Sequence, residues 1–323
     1  MIVTLAGGVG GARMAAGLAT ISDGKIAVIV NTADDFEHLG LAISPDLDTV
    51  MYTLAGLENV EQGWGLCDET WSFMSALEGL GGETWFRLGD RDMATHVERS
   101  RMLAAGVSLA SVTRHLCAAL GVRADVLAMS DGKVRTVVQT SDGELAFQDY
   151  FVRRRCEPRL LSVRFAGADR AQALPEALAR LAAPDLEAIV IAPSNPYVSV
   201  APILAVPGYV AALDAREVPC VAVSPIVGGK AIKGPAAKMM TELGVDASVV
   251  GIAQHYAGLI DGLVIDEADR ALVPSIERLG IRAHVCDAIM RDREGRARLA
   301  AETLGFAREL GRRGDWRGPC RAS

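Results

Sequence analysis

An α/β fold, with a Rossmann-like parallel sheet flanked by helices, follows from three features of the 323-residue sequence. The chain opens with a strand, a glycine loop, a helix and a second strand. The same rhythm returns in its second half. Each short apolar run there ends at Gly, Pro, Ser or Asp, as it does where ligands bind an open α/β sheet.

Taken in order, residues 2–5 are the first apolar run and residues 7–11 a flexible turn. Residues 12–21 carry the helical spacing of small and apolar side chains. Residues 25–30 form the next strand and end at Asn31-Thr32-Ala33-Asp34-Asp35. Such a βαβ unit builds a parallel sheet. Further on, 188–192 run into Pro193-Ser194-Asn195-Pro196, and 220–223 into Ser224-Pro225-Ile226-Val227-Gly228-Gly229. Residues 248–252 and 263–265 are further strand candidates, with helices expected over 234–243 and 267–279.

The stretch 60–170 differs. Aromatic and charged residues rise there, at Trp64, Trp71, Trp85 and Gly89-Asp90-Arg91-Asp92. Helical segments are expected over 93–105 and 109–120. Alternating segments over 134–140 and 145–151 are joined by Ser141-Asp142-Gly143, a hairpin turn. The expected organisation is a core of 1–59 and 171–310, a helical and β-hairpin insertion over 60–170, and a flexible tail over 311–323.

Half the residues are apolar, enough for a sizeable core, and the net charge is −7. No basic stripe is available to a nucleic acid; Arg153-Arg154-Arg155 reads as a solvated face. The N-terminus begins directly in a strand, without a charged leader. No apolar run reaches the roughly 18–20 residues of a membrane span. The six cysteines are scattered without a CxxC pair, which predicts reduced thiols and a cytoplasmic protein. The five histidines are scattered too, so any metal is expected on oxygen ligands.

The opening loop, Gly7, Gly8, Gly10 and Gly11 followed by Arg13, lets backbone N–H groups approach an anion at a helix N-terminus. Close packing alone is the plainer alternative. The spacing is neither GxGxxG nor a Walker A loop. Asp34 and Asp35 end the second strand, where a ribose-binding acid sits in such folds. Pro45 starts a helix with Asp46 and Asp48 in its first turn and Thr49 behind them. Helix-dipole pairing would explain those two. Four carboxylates gathered near one sheet edge instead call for a cation, and oxygen ligands beside phosphates point to Mg²⁺.

Asp90, Arg91 and His96 open a further helix, and Arg91 suits a phosphate or a flat heterocycle. Ser194 and Asn195, and Ser224 and Gly228, lie in proline-stiffened loops able to hold donors toward a nucleotide, with Lys230 and Lys233 on the same rim. There is no GxSxG elbow and no Cys beside a His. That leaves cation-assisted displacement at phosphorus, driven by positioning and electrostatics.

In combination, these blocks, together with WGLCDETW (64–71) and LGDRDMATH (88–96), resemble the 2-phospho-L-lactate transferases of coenzyme F420 biosynthesis. The likeness runs from the glycine loop to about Asp287. It implies transfer of a phospho-acid from a GDP-activated donor to the ribityl hydroxyl of the deazaflavin Fo, with Mg²⁺ bound and GMP released. Carried over to this chain, Asp48 and Arg91 would contact the deazaflavin, flanked by Thr49, Asp90 and His96, under the cap formed by 60–170. Asp34, Asp35 and Asp46 would hold the metal or orient the hydroxyl, with Asp48 as a further metal candidate. The glycine loop and the two proline loops would hold the GDP part. A homodimer is also implied. The acid stays open between phospholactate, phosphoenolpyruvate and phosphoglycerate. Two other readings compete: a related regulatory protein that binds nucleotide sugars, and an NAD(P)-dependent oxidoreductase, which the missing third glycine disfavours.

Overall fold

Seven strands form one parallel sheet in the computed structural model, which describes residues 1–314. They are β1 (Ile2–Ala6), β2 (Ile26–Val30), β3 (Asp125–Ala128), β4 (Ala188–Ile191), β5 (Cys220–Val223), β6 (Gly262–Asp266) and β7 (Arg282–Cys286). Their spatial order is 3-2-1-4-5-6-7, and every neighbouring pair is parallel. This is the doubly wound order, and the chain reverses direction of winding between β1 and β4. β1, β2, β4, β5 and β6 are buried along their whole length. Burial on both faces is why they read as unbroken apolar runs without alternation.

One face of the sheet is covered by α1 (Gly8–Ile21), α2 (Pro45–Ala55), α5 (Leu109–Ala119) and a C-terminal helix, Arg293–Arg313. They bury Met14, Leu18, Leu47, Met51, Leu116 and Leu299 against it. Helices of the second half cover the other face through Leu181, Ile203, Leu213, Met240 and Ile252. Between β2 and β3 the chain adds a short hairpin, Phe36–His38 with Leu41–Ile43, and the helices α3 (Ser72–Gly79) and α4 (Asp90–Ala104). After β3 it forms a three-stranded antiparallel sheet of Gly143–Ala146, Arg135–Thr140 and Leu160–Ala166.

The expected α/β architecture is present, with local differences. The segment 60–170 is not a separate insertion, because it supplies β3, the edge strand of the main sheet, paired with β2. Residues 7–11 are mostly helix: α1 begins at Gly8. Residues 248–252 form a helix, Val249–His255, capped by the Ser248 hydroxyl accepting from the Gly251 N–H; five apolar residues do not separate a strand from a buried helical turn. The second arm of the hairpin stops at Ala146, and Asp149–Arg153 coils into a π-type turn. The C-terminal helix runs on to Arg313, three residues into the expected flexible tail; residues 315–323 of that tail lie outside the described residues.

The first and last helices meet closely at Gly17, where an added Cβ would sit 2.3 Å from the Arg296 carbonyl oxygen. Backbone cannot yield as a side-chain tip can. Gly17→Ala is expected to destabilise the protein by about 1–3 kcal/mol, seen as a lower melting temperature. An unchanged melting curve would show that the two helices separate freely.

Candidate active site at the strand reversal

The crevice lies where the loops after β1 and β4 part. Ser194 stitches them together: its hydroxyl donates to the Gly7 carbonyl at 2.8 Å and accepts from the Gly7 N–H at 3.2 Å. Gly7, Gly10 and Gly11 are needed for this approach, since a Cβ would stand 2.5 Å from an Asp46 carboxylate oxygen, 2.2 Å from the Pro193 carbonyl and 2.6 Å from the Ser194 hydroxyl, respectively. Three glycines of the loop thus serve close packing. Gly8, with φ of +63°, faces open space.

The positive end of α1 is already engaged. The Gly8 N–H donates to Asp46 Oδ1 at 2.8 Å, and the other oxygen of Asp46 accepts from the Asn31 amide at 2.9 Å. Asn31, fully buried after β2, also reaches the Val198 carbonyl and receives the Ala33 N–H. An anion approaching this helix end meets the Asp46 carboxylate, which favours a cation between the two.

Asp34 and Asp35 are buried, the first beside Asp46 and Asp35, the second near Asp48. Oδ1 of each has no hydrogen-bond partner, while the other oxygen of Asp35 accepts from the Ser44 hydroxyl at 2.8 Å. Burial, then the neighbouring Asp46, pushes the Asp34 carboxyl well above its ordinary value. Burial also raises Asp35 to about 7 and Asp46 to about 6, against the pull of the Ser44 hydroxyl on the first and of Asn31 and the Gly8 N–H on the second. Buried carboxylate oxygens lacking a donor suit a hard cation.

Asp48 does something else. Residues two apart on a helix point to different sides, so Asp46 faces the glycine loop while Asp48 faces α4. There it meets Arg99, 1 % exposed, whose guanidinium forks onto both carboxylate oxygens. Arg99 Nη1 also lies 3.2 Å from His96 Nδ1. Nε2 of His96 is 3.2 Å from Asp92, and the Tyr52 hydroxyl donates to Asp92 at 2.6 Å. Among the described residues, Asp48, Asp92 and His96 are the cluster whose donor atoms fall within 4.8 Å of one another. Arg99 already supplies its positive charge. Asp34, Asp46 and Asp48, expected to share a metal, do not form such a cluster.

The remaining expected residues are scattered in role. Asp90 accepts the Ser72 and Phe73 N–H groups at 3.0 Å and so caps α3. Arg91 is exposed and donates to the Cys67 carbonyl at 2.8 Å, tying the tryptophan-bearing loop to α4. Thr49 bonds back to Pro45 within α2. Asn195 accepts from the Tyr197 N–H, Ser224 bonds to both backbone groups of Ile226, and the Gly228 N–H donates to Asp269. These loop groups stiffen their own turns. Arg13 reaches the Met290 and Val60 carbonyls, and its acidity is strengthened by burial and by the nearby Arg296. It also lowers the Lys233 pKa, after burial, so two cations stand near the glycine loop. A recess of about 680 Å³ lies elsewhere, beside Ser141, Arg153 and Arg154, whose arginines pair with Glu83, Asp149 and Asp142.

Arg99, Asn31 and Tyr52 escaped the sequence reading. A signal existed: Asp92, His96 and Arg99 recur at i, i+4 and i+7 on α4, a polar stripe where an apolar one belongs. Asp48 and Tyr52 repeat the pattern at i, i+4 on α2.

A doubly wound sheet whose reversal crevice gathers buried carboxylates beside a glycine-bounded helix end has the layout of an α/β enzyme's ligand site. The family model described as 2-phospho-L-lactate transferase CofD matches residues 2–304. A phosphoenolpyruvate transferase of Streptomyces griseus is 43 % identical over 316 residues, covering 96 % of this chain and 99 % of the relative. A 2-phospho-L-lactate transferase of Methanosarcina mazei is 38 % identical over 300 residues, covering 93 % and 98 %. The chain belongs to the 2-phospho-L-lactate transferase family, phospho-acid transferases of coenzyme F420 biosynthesis. A crystal structure of a UPF0052 family member from Bacillus halodurans shares the fold, with a TM-score of 0.61 at 18 % identity over 94 % of this chain and 98 % of that one.

Raised carboxyl pKa values make stability pH-dependent. The folded chain holds protons that the unfolded chain has released, over the window from 3.8 to about 6 for Asp46 and to about 7 for Asp35. Stability from these groups is therefore present at the acid end and lost as pH rises through the window. In chelator, the melting temperature is expected to fall between pH 5 and pH 7 by several degrees, and Asp35→Asn to flatten that slope. A slope unchanged in Asp35→Asn would place the titrating group elsewhere.

Proposed function

We propose that this chain transfers a phosphoenolpyruvyl group from a GDP-activated donor to the terminal ribityl hydroxyl of Fo, releasing GMP. The observation that carries the choice of acid is similarity: relatives named phosphoenolpyruvate transferase match at 38 to 43 %, those named 2-phospho-L-lactate transferase at 37 to 38 %. The acceptor oxygen forms a bond to the phosphorus nearer the acid, and the bond from that phosphorus to the bridging oxygen breaks, so GMP leaves with the oxygen and its electron pair. The hydroxyl proton goes to Asp35, whose free Oδ1 and affinity for protons near neutral pH suit a general base.

Asp34 and Asp46 are the residues that would hold Mg²⁺, since the partnerless Oδ1 of Asp34 and the carboxylate standing at the helix end fit an oxygen-liganded cation. When bound, Mg²⁺ supplies neutralisation of charge on the diphosphate oxygens. Arg13 and Lys233 add positive charge on the donor's side, and the glycine loop keeps bulk away from it. Arg91 and the tryptophan-bearing loop that it braces are the acceptor's side. The reading has the protein working as a cytoplasmic homodimer. Free thiols at the five described cysteines support the compartment, and no described helix is long and apolar enough to cross a membrane.

Mass spectrometry of reactions with Fo, Mg²⁺ and each of three GDP-linked acids, phosphoenolpyruvate, phospholactate and phosphoglycerate, tests this. The phosphoenolpyruvyl diester is expected as the main product, and a phospholactyl or phosphoglyceryl diester instead would overturn the choice of acid. Asp35→Asn is expected to lower kcat by about 100-fold or more, with the fold intact by circular dichroism. Full turnover in chelator would remove the cation from the reaction.

A further inference from the structure

The loop between α2 and α3 closes on itself. At its root the Cys67 N–H donates to the Leu57 carbonyl at 2.8 Å, and nearer the tip the Asn59 N–H donates to the Gly65 carbonyl at 3.0 Å. Glu58 anchors it to the C-terminal helix through an ion pair with Arg296 at 2.7 Å. The tip lies over the first turns of α1. There the Val60 carbonyl accepts from Arg13 Nη2 at 3.4 Å, and Gly63 lies beside Val9, one turn before Arg13. Lys233 reaches the same spot from the loop after 224–229. A Cβ on Gly63 would stand 3.4 Å from both Val9 methyls and 2.8 Å from the Lys233 ammonium.

Two cations therefore stand together without an anion. Arg13 is half-buried and meets only the Val60 and Met290 carbonyls, at 3.4 and 3.3 Å. Among the described residues, neither Arg13 nor Lys233 has a carboxylate within ion-pair distance. Glu58, the acid whose charge does reach Arg13, is committed to Arg296, and Arg296 opposes Arg13 more strongly than Glu58 supports it. Burial, and then Arg13, weakens the hold of Lys233 on its proton. Like charges gathered partly out of water are costly unless an anion joins them. Lys233 belongs to an exposed loop and has solvent to turn to, yet its ammonium points in at Gly63.

The donor of the reaction is negative in two places, its diphosphate and the carboxylate of its acid. A cation held by Asp34 and Asp46 answers the first. The second needs a partner of its own, and all three candidate acids carry it. A guanidinium fork matches a carboxylate in shape, and an ammonium adds a point charge beside it. We propose that Arg13 and Lys233 are specificity-determining residues that hold the carboxylate of the transferred acid under the tip of the 57–67 loop. The proposal rests on the transferase reading. It divides the donor between two sets of residues, so GDP, which lacks the acid, makes no use of the pair.

The experiment is calorimetric titration in MgCl₂ with three probes: GDP, GDP-linked phosphoenolpyruvate, and the same compound with a neutral carboxamide in place of its carboxylate. The wild type is expected to bind the acid about tenfold or more tightly than the amide, the scale of a hydrogen bond to a charged group. Lys233→Met is expected to weaken binding of the acid by that factor while GDP and the amide bind as before. With Fo as acceptor, it is expected to raise the KM for the donor more than it lowers kcat, and Lys233→Arg to restore much of the loss. Arg13→Met is expected to act in the same sense; if it does not fold, Lys233→Met, on an exposed loop, carries the test. An equal loss of GDP and acid binding in Lys233→Met would overturn the proposal, since the pair would then hold the diphosphate. Unchanged binding of the acid would overturn it as well. A wild type that forms the diester from Fo but binds acid and amide equally overturns the proposal and leaves the transferase reading in place. A wild type that binds none of the probes and forms no diester brings down that reading, and the proposal with it.

Discussion

Burying negative charge is the constraint around which the rest of this protein is arranged. Asp34, Asp35, Asp46, Asp48 and Asp92 are all less than a tenth exposed, and isolated charges in such surroundings are strongly disfavoured. Each is handled differently. Asp48 and Asp92 are answered by Arg99, His96 and Tyr52. Asp46 receives a helix N-terminus and the Asn31 amide. Asp34 and Asp35 keep an oxygen without any partner, and they do so at the mouth of the strand reversal. Charge left unanswered at one place, and balanced carefully a few residues away, is the signature of a site.

The glycine loop belongs to the same arrangement. Its glycines bring the β1 loop against the β4 loop and against Asp46, so its closeness is spent on protein contacts. The helix end that would greet a phosphate in a dinucleotide-binding fold greets a carboxylate here. The order of the sheet is shared with the dinucleotide-binding folds, and the difference in chemistry sits in one aspartate on the next helix.

Much of this was legible in the sequence where the signal is local. The β1–α1–β2 unit, the strands at Ala188–Ile191 and Cys220–Val223, and the helix beginning at Pro45 with two acids in its first turn are all present. β7 was missed because Arg282–Cys286 is an edge strand, half exposed, with an Arg and a His interrupting its apolar pattern. β3 was missed because four residues between a helical stretch and the hairpin carry too short a signal. The C-terminal helix carries Leu299, Phe306 and Leu310 at helical spacing, hidden among charged residues. At the site, the set of aspartates was legible and their partition was not. Which way a side chain points follows from helix geometry, and Arg99 arrives from 51 residues away.

The closing of the first helix by the last has a meaning for the newborn chain. β1 lies between β2 and β4, so one of its edges finds no partner until residues near 188 have left the ribosome. The groove of α1 at Gly17 waits longer still, for Arg296 and Ala300. An apolar strand with an open edge is a template for wrong pairing, and this one stays open for more than half of synthesis. Early closure of the β1–α1–β2 unit covers only the edge of β1 that pairs with β2. A message truncated before the final helix yields a chain whose first helix keeps its packing against α2 and loses its cover at Gly17.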